Sequence, residues 1–301
     1  MKLVPDIDYT EFIGKQESQY VRPASSFTDA LRERRENGGL LRGAALPWSK
    51  TKQNVRLRPG EVTIWGGIGG HGKSLLTGQC LLWLLSEYRS LIASLEMKPE
   101  ATLERMIRQA SGTTHPHENF DSQFLKWTDD KLWIYDQLDT VPSDRILGLC
   151  HYAAKELGIK HIVIDSLMKC GIRKDDYDGQ TAFIDRICWA AKSLNIHIHL
   201  VHHMRKGEKE EHRPGKFDIR GAGELVDMVD NLFICHRNKA KERKMDDGEI
   251  VDFREPDCTL TVAKQRHGEW EGTVALWFDA PSLQFVSEPG QGAMRYDMEQ
   301  F

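Results

Sequence analysis

Gly67-Ile68-Gly69-Gly70-His71-Gly72-Lys73-Ser74 follows the pattern G-x-x-x-x-G-K-[ST]. Ahead of it, Glu61-Val62-Thr63-Ile64-Trp65 is an apolar run of strand length. Behind it, residues 75–85 carry apolar side chains at helical spacing with no proline. Strand, loop and helix in that order are what the pattern requires. Its glycines let backbone N–H groups turn inward and approach phosphate oxygens closely, and a helix starting near Lys73 adds its positive dipole end. This reading assigns Gly67, Gly69, Gly70, His71 and Gly72 to a phosphate cradle, Lys73 to the terminal phosphates and Ser74 to Mg²⁺. The motif implies that ATP or another nucleoside triphosphate is bound together with Mg²⁺.

From about residue 46 onward, strand and helix patterns alternate. Alternation of this kind predicts an α/β fold, a P-loop NTPase whose mostly parallel sheet is flanked by helices. Residues 90–95 read as a strand ending at Glu96. Pro99 opens a helix to about residue 110, and Gly112 closes it. Strands over 132–136, 161–165 and 196–201 follow, separated by helices over about 142–157 and 180–194. Strands near 231–236, 258–264, 272–278 and 283–286 have little helix between them, which predicts antiparallel pairing toward the C-terminus. The expected organisation is an N-terminal arm over 1–45, an ATPase domain over 46–290 and a tail over 291–301. Within the arm, Ser26 and Asp29 have capping-box-like spacing, Phe27, Ala30 and Leu31 share a face, and Gly38-Gly39 stops the helix.

Composition bounds the partners. A hydrophobic content of 40% and a charged content of 29% over 301 residues suit a chain with a sizeable core. The net charge of −4 carries no global nucleic-acid signature, so any such contact must come from local loops. Cys80, Cys150, Cys170, Cys188, Cys235 and Cys258 are scattered with no C-x-x-C pair, which points to a reducing compartment. No apolar run approaches the length of a membrane span, and Met1-Lys2-Leu3-Val4-Pro5-Asp6 lacks a signal-peptide core. The expectation is a cytoplasmic protein of a bacterial or phage-infected cell, not of the mitochondrial matrix.

Several residues outside the glycine-rich loop belong to the same chemistry. Ile162-Val163-Ile164-Asp165-Ser166 is an apolar strand ending in a carboxylate, which can hold the Mg²⁺ shell through water. Glu96 leaves the strand after the P-loop helix and would lie at the same sheet edge. A carboxylate there can polarise the water that attacks the γ-phosphorus, although a capping or surface role fits its spacing equally. His197, His199, His202 and His203 suggest a metal cluster at first sight. His197 and His199 alternate with apolar residues, however, and no second ligand group has zinc spacing. A strand followed by one polar sensor histidine is the better reading. Residues 204–220 form a long loop of interleaved acids and bases, and residues 169–180, with Arg173 and Lys174, form a second at the same edge.

Taken in order, these motifs resemble one family, the RecA-fold motor domain of hexameric replicative DNA helicases, which includes the DnaB type, phage primase–helicases and Twinkle. The matching stretches are Leu57-Arg58-Pro59-Gly60-Glu61, Ser94-Leu95-Glu96-Met97, Ile164-Asp165-Ser166 and His203-Met204-Arg205. They continue with Asp218-Ile219-Arg220-Gly221-Ala222-Gly223 and Ala263-Lys264-Gln265-Arg266-His267-Gly268. The resemblance spans residues 46–286 and implies a RecA-like fold. It also implies Glu96 as catalytic base, Asp165 as holder of the metal water, and His203 as γ-phosphate sensor. Lys264 and Arg266 would reach the nucleotide of the adjacent subunit, Arg266 as an arginine finger. Residues 204–223 would form a central-channel DNA loop, with Arg205, Lys206, Arg220, Gly221, Ala222 and Gly223 at the strand, joined by Arg173 and Lys174 from the second loop. Two departures stand out. The expectation is that no primase or zinc-binding domain stands ahead of the motor, and His202 doubles the sensor position.

The implied function is an ATP-dependent replicative DNA helicase motor that translocates on single-stranded DNA as a homo-oligomeric ring, a hexamer, with a separate primase or other replication proteins as partners. A recombination ATPase of the RecA or RadA type, and a regulatory or loader ATPase, are the alternatives.

Overall fold

The apolar runs become strands because Val, Ile and aromatic residues fill both faces of a pleated layer. The computed structural model describes residues 21–36, 38–39, 42–173, 175–204, 213–219 and 223–298, and the chain divides into the units Met1–Arg42 and Gly43–Phe301. In the first unit, the 3-10 turn Ala24–Phe27 leads into α1 (Thr28–Glu36), none of whose residues is buried. The expected cap at Ser26 does not form. Thr28 instead donates its hydroxyl to the Ser25 carbonyl at 2.7 Å, and the helix begins two residues later.

The second unit is built on one nine-stranded sheet. Its strands are β1 (Val62–Gly67), β2 (Ser90–Ser94), β3 (Leu132–Ile134), β4 (His161–Asp165), β5 (His197–His203), β6 (Asn231–Arg237), β7 (Cys258–Gln265), β8 (Gly272–Asp279) and β9 (Gln284–Val286). The order is β3-β2-β4-β5-β1-β6-β7-β8-β9. The first six in that order are parallel, and the last three attach antiparallel, as the spacing predicts. The helices are α2 (Lys73–Leu84), α3 (Pro99–Ser111), α4 (Phe120–Thr128), α5 (Ser143–Lys155), α6 (Tyr177–Leu194), α7 (Gly223–Met228) and α8 (Lys239–Asp246). Successive strand residues point to opposite faces. Ile64, Ile162, Ile198 and Leu200 meet α5 and α6 residues such as Ile146 and Ile187 on one face. Trp65, Ile92, Val163 and Phe233 meet α2, α3 and α4 through Leu76, Met106 and Phe124 on the other.

Three helices go unread in the sequence, α4, α7 (Gly223–Met228) and α8. In α4, Phe120, Phe124 and Trp127 make a short inward stripe. α8 is polar, and Asn238, accepting from the Lys241 N–H at 3.0 Å, caps it. A further cap moves the start of α6 forward to Tyr177, because Asp176 accepts from the Gly179 N–H at 2.8 Å. At the sheet's end, the Gln79 amide takes the place of a neighbouring strand. Its Oε1 accepts from the Phe285 N–H at 2.8 Å and its Nε2 donates to the Phe285 carbonyl at 2.9 Å. Trp48 Nε1 donates to that carbonyl as well. Residues 290–298 run back over α3, where buried Tyr296 bonds through its N–H to the Ala110 carbonyl.

At the far ends of the strands, register brings His161, His197 and His199 together. His161 Nδ1 and His199 Nε2 lie 3.2 Å apart, and Trp65 Nε1 donates to His199 Nδ1. His197 joins Thr63 Oγ1 and the Arg58 carbonyl. Burial pushes His197 down to about 4, and the other two well below the ordinary histidine range. All three are therefore neutral in the fold at pH values where the unfolded chain takes up protons. Stability held above pH ~6.5 should be lost as pH falls toward about 4, by about 3 kcal/mol for His197 alone. Urea midpoints measured from pH 7.5 to 4.5 test this: the wild type should fall more steeply than His197→Gln, and parallel curves would contradict it.

Candidate nucleotide-binding site

β1 ends in two glycines because its neighbours leave no room. A Cβ at Gly67 would stand 2.7 Å from the Cys235 carbonyl, and one at Gly66 would stand 3.0 Å from the Met204 sulfur. The chain then turns through Gly70 and Gly72, with φ of +79° and +84°. Among the described residues no side chain caps α2, so its first N–H groups face outward as donors for an anion. The loop itself is held from β6. The Cys235 thiol donates to the His71 carbonyl, and the Arg237 N–H donates to His71 Nδ1 at 3.1 Å. Burial, with His236 and Lys73 nearby, lowers His71 to about 4, which keeps it a neutral acceptor.

Strand ends carry the remaining groups to the same edge. Lys73 Nζ donates to the Gly67 and Ile68 carbonyls at 3.0 Å each and lies 3.4 Å from His203 Nδ1, at the end of β5. Ser74 Oγ donates to Asp165 Oδ2 at 2.5 Å, at the end of β4. Glu96, just beyond β2, accepts from Ser166 Oγ at 2.8 Å and lies 3.9 Å from His203 Nε2. His202 is turned to the opposite face and buried. Burial lowers the Lys73 ammonium, against the pull of Cys235, Asp165 and Glu96. Burial raises the Asp165 carboxyl, against the Ser74 hydrogen bond.

This donor set fits a nucleoside triphosphate with Mg²⁺. Outward N–H groups and a lysine suit phosphate oxygens, and a hydroxyl beside a carboxylate suits a hard cation. Beyond Gly72 a cavity of about 200 Å³ is lined by Leu75, Arg237, Met245, Phe278 and Phe285. Sequence reading misses this cavity, and Ser166 as the holder of Glu96, because the contributing residues are far apart in the chain.

Lys264 and Arg266 stand elsewhere. β7 runs antiparallel to β6, so Lys264 lies beside Leu232 and Arg266 beside Asp230, at the edge opposite the P-loop. Lys264 Nζ donates to the Val226 and Asp227 carbonyls, and Arg266 to those of Asp227 and Met228, at the end of α7. Arg266 also pairs with buried Asp230 at 3.3 Å. Arg173 is exposed and pairs with Asp175, and Gly223 opens α7. Lys174, Arg205, Lys206, Arg220, Gly221 and Ala222 lie outside the described residues. The base of their loop is tied by an antiparallel bridge between Met204 and Ile219, immediately after His203.

A model of the DnaB-like helicase C-terminal domain matches residues 53–287. The Twinkle homolog protein, chloroplastic/mitochondrial, of Arabidopsis thaliana is 23% identical over 217 residues, which cover 65% of this chain and 31% of that protein. The chain thus spans about a third of that relative's length, 31%. Among solved structures, a separately solved ATPase domain superposes with a TM-score of 0.71 at 17% identity, over 87% of this chain and 97% of that one. A DnaB-like replicative helicase, described with its interactions with primase, gives 0.71 at 17% identity over 90% and 69%. These likenesses show the fold.

The crowding at β1 separates two glycines by experiment. Gly67→Ala should cost about 1–3 kcal/mol in denaturant unfolding. At Gly69 an added Cβ meets nothing within 4 Å, so Gly69→Ala should stay within about 0.5 kcal/mol of wild type. Equal losses would contradict the crowding.

Proposed function

The chain belongs to the DnaB-like helicase C-terminal domain family, and on that premise we propose that it is an ATP-driven motor translocating on single-stranded DNA as a hexameric ring. One observation carries the reading. Lys73, Ser74, Glu96, Asp165 and His203 converge on one sheet edge, while Lys264 and Arg266 project from the other. β1 spans six residues between those edges, about 16 Å from end to end. A chain cannot bring its own Arg266 to its own phosphates, so the finger role that the resemblance implies would call for a second copy, which supports the ring reading.

In this mechanism Glu96, steadied by the Ser166 hydroxyl, polarises the attacking water. Lys73 exchanges its loop carbonyls for terminal phosphate oxygens. Mg²⁺, when bound at Ser74 and through water at Asp165, supplies charge neutralisation at the phosphates. Arg266 of a neighbouring copy offsets the charge that develops during transfer. His203 lies between Lys73 and Glu96 and is followed directly by the bridge that ties the 204–219 loop. That adjacency supports a sensor coupling nucleotide state to a DNA-contacting loop. Backbone contact would give little sequence preference. A separate primase would supply priming.

The nucleobase would enter the cavity beside Gly72, against Phe285. There Asp257 is already committed to Lys241 and the Phe278 N–H, and Glu242 to Arg237 and Lys239. Stacking without hydrogen-bond readout predicts kcat/KM values for the four ribonucleoside triphosphates within about tenfold of one another; a ratio beyond a hundredfold would contradict it.

Hydrolysis with and without single-stranded DNA, alongside mass by light scattering, tests the main reading. Strong stimulation in a closed six-subunit particle is the expected result, and unstimulated turnover by a monomer would overturn it. Arg266→Ala should keep nucleotide affinity and lose about a thousandfold or more in kcat. Mixed into wild-type rings, it should depress activity beyond its own share. Simple dilution of activity would remove the shared site.

A further inference from the structure

α2 buries an amide among apolar side chains. Gln79 is 5% exposed and follows and precedes the buried residues Leu76, Cys80, Leu81 and Leu82. A buried amide is costly unless both of its ends are bonded. Gln79 commits both ends to one residue of another element. Its Oε1 accepts from the Phe285 N–H and its Nε2 donates to the Phe285 carbonyl, on β9. The same short strand is fixed just ahead of that point. Leu283 holds a φ of +58°, and its carbonyl accepts from Gln109 Nε2 at 3.0 Å. That nitrogen donates to the Leu75 carbonyl of α2 as well. Residues 283 and 285 are thus both tied to the P-loop helix, and the direction in which the Phe285 side chain leaves the backbone is tied with them.

What the clasp directs is an aromatic ring. A Cβ at Gly72 would stand 3.0 Å from Phe285 Cζ, so the ring rests against the last glycine of the P-loop. Its centroid lies 5.1 Å from that of Phe278, and both rings line the cavity beside Gly72 together with Leu75. Leu75 and Gln79 stand one turn apart on the same side of α2, Leu75 in the cavity wall and Gln79 behind it. Lys73 opens the same helix, six residues before Gln79 and about 9 Å away along the axis. One helix therefore carries the lysine meant for phosphates and, further along, the support of the cavity floor. β9 is a three-residue strand at the end of the sheet, paired with β8 on one side. So short a strand takes its orientation from whatever holds its outer groups.

We propose that Gln79 is a positioning residue for the nucleobase. It holds Phe285 in the orientation in which the ring stacks on the base, and it does so from the helix that binds the phosphates. The spacing between phosphate and base is then set within one rigid element before a nucleotide arrives. The proposal rests on the nucleotide reading of the P-loop and of the cavity beside Gly72.

Equilibrium binding of a fluorescent non-hydrolysable ATP analogue, with Mg²⁺ and the full chain, tests it in a double-mutant cycle. Gln79→Met keeps the length of the side chain and removes both hydrogen bonds. It should weaken the analogue about tenfold, the size of a lost base–aromatic stack, and Phe285→Leu should do the same. The double variant should bind no more weakly than Phe285→Leu, because Gln79 acts through that ring. Displacement of the analogue by inorganic tripolyphosphate with Mg²⁺ reads the phosphate end by itself, and Gln79→Met should change it less than twofold. Additive losses in the cycle, a tripolyphosphate affinity that falls with that of the nucleotide, or a Gln79→Met chain that binds as wild type does would each overturn the proposal. Should Gln79→Met fold poorly by thermal melting, the nucleotide-to-tripolyphosphate ratio of Gln79→Glu, which keeps the acceptor and loses the donor, decides. A wild-type chain that binds tripolyphosphate as tightly as the analogue would overturn the reading of the cavity, and one that binds neither would overturn the reading of the P-loop; the proposal would fall with either.

Discussion

A lysine ammonium taken out of water is the constraint around which the P-loop edge is arranged. Lys73 is buried, and burial works against its charge. Such a group persists where oxygens face it. The Gly67 and Ile68 carbonyls do so directly, while the carboxylates of Asp165 and Glu96 act from the ends of their strands. Those carboxylates arrive only because β1, β2 and β4 run parallel and end at one edge. Gly67 follows from the same packing, since the lysine stem and the Cys235 carbonyl crowd the place where a Cβ would stand. Sheet direction, loop composition and site charge are thus one problem with one solution.

The antiparallel end of the sheet solves a different one. Reversing β7 against β6 carries Lys264 and Arg266 away from the phosphates and onto the carbonyls that close α7. A cation at a helix C-terminus is favourable for its own chain. The pair with Asp230 adds to that, since Asp230 also accepts from the Val62 N–H at the start of β1. Arg266 is therefore a structural anchor in this chain, and any role on a neighbour's nucleotide would require part of that anchoring to be exchanged.

Much of this was legible in sequence where the signal was local. The P-loop and Asp165 sit in consecutive residues whose order alone implies strand, turn and helix. The antiparallel tail was legible because four strand-like runs crowd together near the end. Other features depend on register. Alternation along residues 196–201 puts His197 and His199 on one face, but their contact with His161 exists only once β4 pairs with β5. Ser166 reaching Glu96, and Phe285 flooring the cavity beside Gly72, likewise join distant segments. α8 went unread because its stability comes from the Asn238 cap and not from an apolar face.

The glutamine clasp on β9 bears on how copies of this chain can meet. An open strand edge is a template that any passing extended segment can extend, and sheets left unguarded tend to join end to end. With the Gln79 amide and the Trp48 indole occupying the outward groups of Phe285, that side offers little for another backbone to zip onto. Growth by strand addition at this rim is blocked. In the proposed ring, contacts on this side would be made by side-chain surfaces, whose fit can fix an angle between neighbours and so favour closure over indefinite extension.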